Sequence, residues 1–245
     1  MSTDQEPDRQ AVPTPARPQK PGFLAGVREF GIVIIAALVL SALVRAFLVQ
    51  AFYVPSESMQ NTLLPNDRIV ASKVTTHFGG VSRGEVVVFR DPGGWLQAPA
   101  PGPDGFRGLV HNALMFIGLL PSDSGNDLVK RVIGVAGDHI VCCDAQQRIV
   151  LNGVPLDESY IVQPTNQVTF DITVPADSVF VMGDNRGNSR DSRFHLEENS
   201  GGVPVDNVVG RAFVVVWPLK RFTTLPIPDI FGNPALQKSS APAAQ

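Results

Sequence analysis

One serine and one lysine in this chain stand where they could form a nucleophile and its base. The serine lies in Pro55-Ser56-Glu57-Ser58-Met59. A serine hydroxyl is a weak nucleophile until a neighbouring base takes its proton. Histidine is the usual base, and the chain has 4, at His77, His111, His139 and His195, none in a recognisable triad context. Lys130 is the other candidate, in the strand-like run Leu128-Val129-Lys130-Arg131-Val132-Ile133-Gly134. Alternation puts Lys130 on the face that carries Leu128, Val132 and Gly134. A lysine buried among apolar neighbours has its pKa lowered, and a neutral amine is a base. The plain alternatives are a polar turn at Ser58 and a solvated lysine on a strand edge.

A third polar cluster is Gly183-Asp184-Asn185-Arg186-Gly187-Asn188-Ser189-Arg190-Asp191-Ser192-Arg193. Its turn formers and paired charges suit a solvated loop. They also suit a brace in which Asp191 pairs with Arg193 and Ser189 points inward.

These residues need elements to position them. Residues 30–44 carry no charge and are almost wholly apolar; Arg45 interrupts, and 46–54 are apolar again. A bilayer needs about 20 apolar residues, so the stretch reads as a membrane anchor over 30–51, with Arg45 near one end able to reach the headgroups. A cleaved signal peptide and a buried helix are the rivals. Arg17, Lys20 and Arg28 precede the stretch. The positive-inside rule then puts residues 1–29, read as a disordered tail, in the cytoplasm and the rest outside.

Beyond the anchor come short β-branched runs: 69–71, 85–89, 131–133, 139–141, 148–151, 168–172, 179–181 and 212–216. Asn152-Gly153 follows one of them and reads as a tight hairpin turn. We therefore expect a mainly β fold, an antiparallel sheet domain over 52–225 after a single transmembrane helix. Residues 91–127 read as an insert, either a loop with one packed helix or a segment resting on the membrane through Trp95, Met115, Phe116 and Ile117. Residues 226–245 are rich in Pro, Ala and Ser and read as a second disordered tail.

The length of 245 residues fits one anchor and one domain of about 180 residues. A net charge of -3 argues against nucleic acid as a partner. The 2 cysteines, Cys142 and Cys143, are adjacent and close no useful loop, so there is no disulfide framework. They read as a strand with two small side chains; a vicinal disulfide, a metal site or a nucleophile are the alternatives.

Four blocks resemble the type I signal peptidases, the serine/lysine proteases that release secreted proteins from the membrane. They are Pro55 to Met59 followed by Thr62-Leu63; Arg83-Gly84-Glu85-Val86-Val87-Val88-Phe89; Lys130-Arg131-Val132-Ile133-Gly134-Val135-Ala136-Gly137-Asp138; and Gly183 to Arg193. They stand in the family's order, and the resemblance covers roughly residues 30–222, least well in the insert. Asn61 and Ala136 stand where a proline is common, and Gly187 where an aspartate is common.

The resemblance implies Ser58 as nucleophile and Lys130 as general base. It implies Ser56 as a hydroxyl that joins the Ser58 N–H in an oxyanion hole, and Ser189 as the serine that orients the lysine. Asp191 with Arg193, and Asp184 with Arg131, resemble supporting pairs. Phe52, Val54, Leu63, Leu128 and Val129 fall where the family lines its substrate pockets. No metal or cofactor is implied. The implied partners are the signal peptides of exported preproteins and membrane lipids, with room for proximity to the translocation machinery. The implied location is the plasma membrane, single-pass, with the catalytic domain outside. A self-cleaving Ser/Lys protein and a tethered β domain that only binds partners remain as rivals.

Overall fold

The computed structural model describes residues 23–74, 79–96, 105–109, 126–162 and 168–237. The expected tail over residues 1–22, most of the insert with Met115, Phe116 and Ile117, and residues 238–245 lie outside the described residues. The chain divides into two units, residues 1–39 and 40–245.

Helix α1 runs Phe23–Phe47, 25 residues, or about 37 Å at the usual rise. Its window Val27–Val44 is long and apolar enough to cross a membrane, and none of it is buried. That excludes a helix packed in the protein core. The boundaries differ from those expected. Residues 23–29 are helical rather than part of a tail, and the apolar stretch does not stay helical to residue 51. Val49–Tyr53 forms strand β1 instead. At its end Phe52 turns to the core and Tyr53 to solvent, on opposite faces of the strand.

The remaining strands are β2 (Arg68–Ser72), β3 (Val86–Arg90), β4 (Asp127–Val135), β5 (His139–Cys142), β6 (Ile149–Leu151), β7 (Val154–Pro155), β8 (Phe170–Thr173), β9 (Ser178–Met182), β10 (Val203–Pro204), β11 (Val208–Trp217) and β12 (Thr223–Thr224). Every β-branched run read from the sequence overlaps one of them, although Glu85, Arg148 and residues 168–169 lie outside the strands. The larger sheet has the order β1-β2-β11-β3-β4-β9-β10, with β12 added to β11; the smaller has the order β7-β6-β5-β8. All pairings are antiparallel. Asn152 (φ 50°) and Gly153 (φ 80°) make the expected hairpin turn between β6 and β7.

β3 and β4 are buried on both faces, which explains their nearly unbroken apolar runs. Val86, Val88 and Val129 enter one cluster with Phe52, Met59 and Leu63. Val87, Phe89, Leu128 and Val132 enter a second with Trp95 and Val181. Ile133 joins a third between the sheets, with Ile140, Phe170 and Phe180.

Three further expectations are corrected. Trp95 does not face a membrane: it is 5% exposed, stacks on His195 at 4.4 Å and meets the Phe89 ring edge-on. The Asp91 carboxylate accepts from the backbone N–H groups of Gly93, Trp95 and Leu96 and so curls this segment back onto the sheet. The tail expected to be disordered from residue 226 is packed as far as Gln237. Phe231 and Leu236 are buried in the third cluster, and Gly84 allows Phe231 and Ile227 to approach, because a Cβ there would strike both. Cys142 and Cys143, at the end of β5, are joined by a disulfide rather than standing as two separate thiols.

Asp138 ties several of these pieces together. Its carboxylate, in the turn between β4 and β5, accepts from Arg83 Nε and Nη2, from Val135 N and from Asn152 Nδ2. Asn152 in turn donates to Leu236 O at 3.0 Å. Removing one member of a buried pair leaves the other uncompensated, at a cost of about 3–5 kcal/mol. Asp138→Ala should lower the unfolding free energy of the detergent-solubilised chain by about that amount in a urea titration. An unchanged midpoint would mean that this node does not hold the sheets and the tail together.

Candidate active site

The strands leave Ser58 and Lys130 side by side. β1 pairs with β2 up to Tyr53↔Arg68. The chain then turns away, still held by Val54 N donating to Asp67 O at 2.9 Å. Ser58 follows, fixed from behind by Met59 and Leu63, both buried in the first cluster. Thr62 N and Leu63 N both donate to Met59 O, which closes the turn after the serine. Lys130 lies opposite Val87 of β3. The neighbouring β9 starts its pairing one residue later, at Arg131↔Met182. Gly183 and Asp184 therefore leave the sheet beside Lys130 and Arg131.

Lys130 Nζ donates to Ser58 Oγ at 2.7 Å and to Val129 O at 3.1 Å. Ser58 is 8% exposed and Lys130 3%. Ser56 Oγ donates to Ser58 Oγ at 3.2 Å.

Two ion pairs frame the lysine. Arg131 Nε and Nη2 meet the Asp184 carboxylate at 2.9 and 2.7 Å, and Thr62 Oγ1 donates to the same carboxylate. Arg193 Nε and Nη2 meet Asp191 at 2.8 and 3.0 Å. Asp191 also accepts from Gly183 N at 2.9 Å. Although burial alone would raise it, the Asp191 carboxyl stays below its ordinary range because Arg193 and the Gly183 N–H hold its anion.

Lys130 goes the other way. Burial pushes its ammonium down to about 8, against the pull of Asp191 and Asp184 and with help from the Arg193 charge. Each of those carboxylates already has its own arginine, so burial dominates. The balance amounts to about 3 kcal/mol against the charged form. A nucleophile touching a base that is part neutral near pH 8 can attack a carbonyl, with no metal required for the proton transfer.

The other residues singled out in the sequence are placed as follows. Ser189 is buried against Gly183, where a Cβ would strike both Ser189 Oγ and the Ser58 carbonyl. Its hydroxyl is not bonded to Lys130 Nζ. Asp191 senses it, but the contact falls short of hydrogen-bond geometry and Ser189 Oγ has no such partner among the described residues. Phe52, Val54, Leu63 and Val129 come together in the first cluster. Leu128 does not join them; it faces the second. His139 pairs with Asp171 at 2.6 Å on the surface, and His195 stacks on Trp95. His77 and His111 lie outside the described residues.

Several contributors were missed in the sequence. Thr62 joins the Arg131–Asp184 pair, with Arg131 Nη2 donating to its hydroxyl at 3.2 Å. Asn185 N donates to the Ser58 carbonyl at 3.0 Å. Asn61 has φ 87°, which a proline ring cannot adopt, so asparagine suits this turn where proline would not. Glu158 and Tyr160 reach the site from the far side of the smaller sheet. The one available signal for them was their acid and aromatic character in a segment otherwise read as connection.

Comparison with known proteins agrees with this geometry. The family model for signal peptidase, peptidase S26, matches residues 27–217. A signal peptidase I from Mycobacterium tuberculosis is 37% identical over 250 residues, covering 89% of this chain and 81% of that one. A probable signal peptidase I from Mycobacterium leprae is 37% identical over 225 residues, covering 79% and 77%. A signal peptidase I from Leptolyngbya laminosa is 33% identical over 229 residues, covering 94% and 96%. With four sequence blocks, a buried serine touching a buried lysine and a family match over most of its length, the chain belongs to the signal peptidase family, peptidase S26.

Proposed function

We propose that this peptidase cleaves N-terminal signal peptides from exported preproteins through an acyl-enzyme formed by Ser58 and Lys130. The observation that carries the reading is the 2.7 Å contact between Lys130 Nζ and Ser58 Oγ, both buried. In the reacting state Lys130 is neutral and accepts the Ser58 proton. Ser58 Oγ bonds to the scissile carbonyl carbon, and the carbonyl oxygen becomes an oxyanion. The Ser58 N–H and the Ser56 hydroxyl are its donors; the Ser56 hydroxyl, now bonded to Ser58 Oγ, turns to the oxyanion as it forms. Losing one such donor typically costs about 10²–10³-fold. The C–N bond then breaks, and the Lys130 ammonium returns its proton to the leaving amine. A water molecule, deprotonated by Lys130, attacks the ester and frees the acid and Ser58.

The substrate enters as an extended strand. β1 ends the larger sheet's order. β4 pairs with β3 from Asp127 but with β9 only from Arg131. Residues 127–130 and the β1 end are therefore where an added strand would find main-chain partners, next to Ser58. The side chains one and three residues before the cut are small in this reading, since Phe52, Val54 and Leu63 are already packed into the core.

We also propose that α1 anchors the enzyme in the plasma membrane, with the N-terminus inside and the β domain outside. Its length, its apolar window, Arg17 and Lys20 before it and Arg28 near its start support this. Ten residues of β1 and turn separate the end of α1 at Phe47 from Ser58, so the chain tethers the nucleophile close to the anchor in sequence.

Ser58→Ala should abolish cleavage of a preprotein by the folded, detergent-solubilised chain. Lys130→Arg should be equally inactive, since a guanidinium stays charged. For the wild type, the fraction of neutral Lys130 rises with pH through about 8. The cleavage rate under limiting substrate should therefore climb about tenfold from pH 7 to pH 9. Normal cleavage by either variant, or a flat profile, would remove the Ser/Lys mechanism. A reporter at residue 10 should score as cytoplasmic and one after the C-terminal residue as extracytoplasmic; the opposite pattern would place the β domain on the wrong side for exported substrates.

A further inference from the structure

Residues 156–162 connect the smaller sheet to the site. The segment starts at Leu156, whose N–H donates to Ile149 O of β6 at 2.8 Å and whose side chain is buried in the third cluster. It ends at Val162, whose N–H donates to Asp184 O at 3.0 Å. Between these ends it touches three separate parts of the chain. Asn61 Nδ2 donates to Tyr160 O at 2.8 Å. The Arg131 guanidinium lies over the Tyr160 ring, 4.3 Å from its centre. The Glu158 carboxylate accepts from Arg186 Nη1 and Nη2 at 2.8 and 2.6 Å and from the Tyr160 hydroxyl.

Glu158 and Arg186 form a closed pair, with side chains 3% and 0% exposed. A carboxylate so far from water is tolerated only when it is fully bonded, and a two-point grip on a guanidinium fixes direction as well as distance. Arg186 passes that restraint inward. Its Nε donates to Gly183 O at 2.9 Å, and Gly183 is the residue wedged between Ser189 Oγ and the Ser58 carbonyl. Burial, with Glu158 beside it, holds the Tyr160 phenol well above its ordinary range, so the hydroxyl remains a donor. All three contacts end within a few residues of the reacting pair: Asn61 after Ser58, Arg131 beside Lys130, and Gly183 behind both.

We infer that residues 156–162 are a strap that sets the position of Ser58 against Lys130, with Glu158 as its anchor. Glu158, Tyr160 and Asn61 are positioning residues, not catalytic ones. The inference rests on the Ser/Lys reading. Misplacing a reacting group by about 1 Å can cost about 10²-fold in rate. The strap touches none of the residues proposed to receive the substrate, so loosening it lowers kcat and leaves KM in place.

Asn61 gives the cleanest test, because it is exposed and has φ 87°. Glycine adopts that conformation freely, so Asn61→Gly removes the bond to Tyr160 O without straining the turn. Asn61→Asp keeps the size and loses the donor. For both variants of the full chain in detergent, with a preprotein substrate, kcat should fall about tenfold with KM within about twofold of wild type. Their thermal unfolding midpoints should match wild type. Glu158→Gln should lower kcat further. Wild-type kcat in both Asn61 variants would overturn the strap, as would losses that only track unfolded protein. Ser58→Ala, run alongside, separates the two claims. If it is inactive while the Asn61 variants are normal, the strap falls alone. If it cleaves normally, the Ser/Lys reading falls and the strap falls with it.

Discussion

Lys130 reaches Ser58 Oγ from the interior of a sheet, almost out of contact with water. An ammonium there loses its hydration, and only nearby anions can replace it. Asp184 and Asp191 are close enough to do so. Had either been bare, it would have held the proton on the amine and made a buried ion pair instead of a base. Arg131 takes up Asp184 and Arg193 takes up Asp191. The two arginines thus leave burial as the dominant influence on Lys130. Most of the polar network around the site follows from that requirement, because each buried charge needs its own partner and the shared proton must not be trapped.

The sheet supplies the burial. β4 contributes to all three apolar clusters, through Val129, through Leu128 and Val132, and through Ile133. Residues 128–134 of β4 are all buried, so a lysine at position 130 is forced into the interior. The pairing change between Lys130 and Arg131 then opens room for the Gly183 turn. That turn carries Asp184, Asp191 and Arg193 to the lysine. Ser58 comes from the other end of the sheet order, after β1, and Asn185 N fixes its carbonyl from the same turn.

The sequence made the strands legible because their β-branched runs are dense and bounded by turn formers. Ser58, Lys130 and the two arginine–aspartate pairs were legible through four motif blocks. The end of the helix was not, since Val49-Gln50-Ala51-Phe52-Tyr53 carries no charge and continues directly from the apolar helix. Only pairing with β2 turns it into a strand. The segment over 226–237 looked like a tail because proline and small residues dominate it. It packs because two side chains, Phe231 and Leu236, find a hydrophobic cluster that no local pattern announces. Trp95 carried two readings, packed in a loop or resting on the membrane, for a similar reason: an exposed tryptophan and one stacked on His195 look alike in a string of letters. The bond between Cys142 and Cys143 was one alternative among several, since adjacency alone does not say whether two thiols are joined.

The central claim is that the protein keeps Lys130 partly neutral near physiological pH, and the amine itself can be titrated. The chain has few lysines: Lys20, Lys73, Lys130, Lys220 and Lys238. With ¹³C at the lysine ε-carbons, NMR of the detergent-solubilised Ser58→Ala protein can follow each as pH is raised, and Lys130→Arg assigns the signal that disappears. One lysine, Lys130, should titrate near 8, where burial places it, well below the ordinary lysine value of about 10.4. A Lys130 signal that stays protonated until about pH 10 would contradict the claim, and another group would have to take the serine proton.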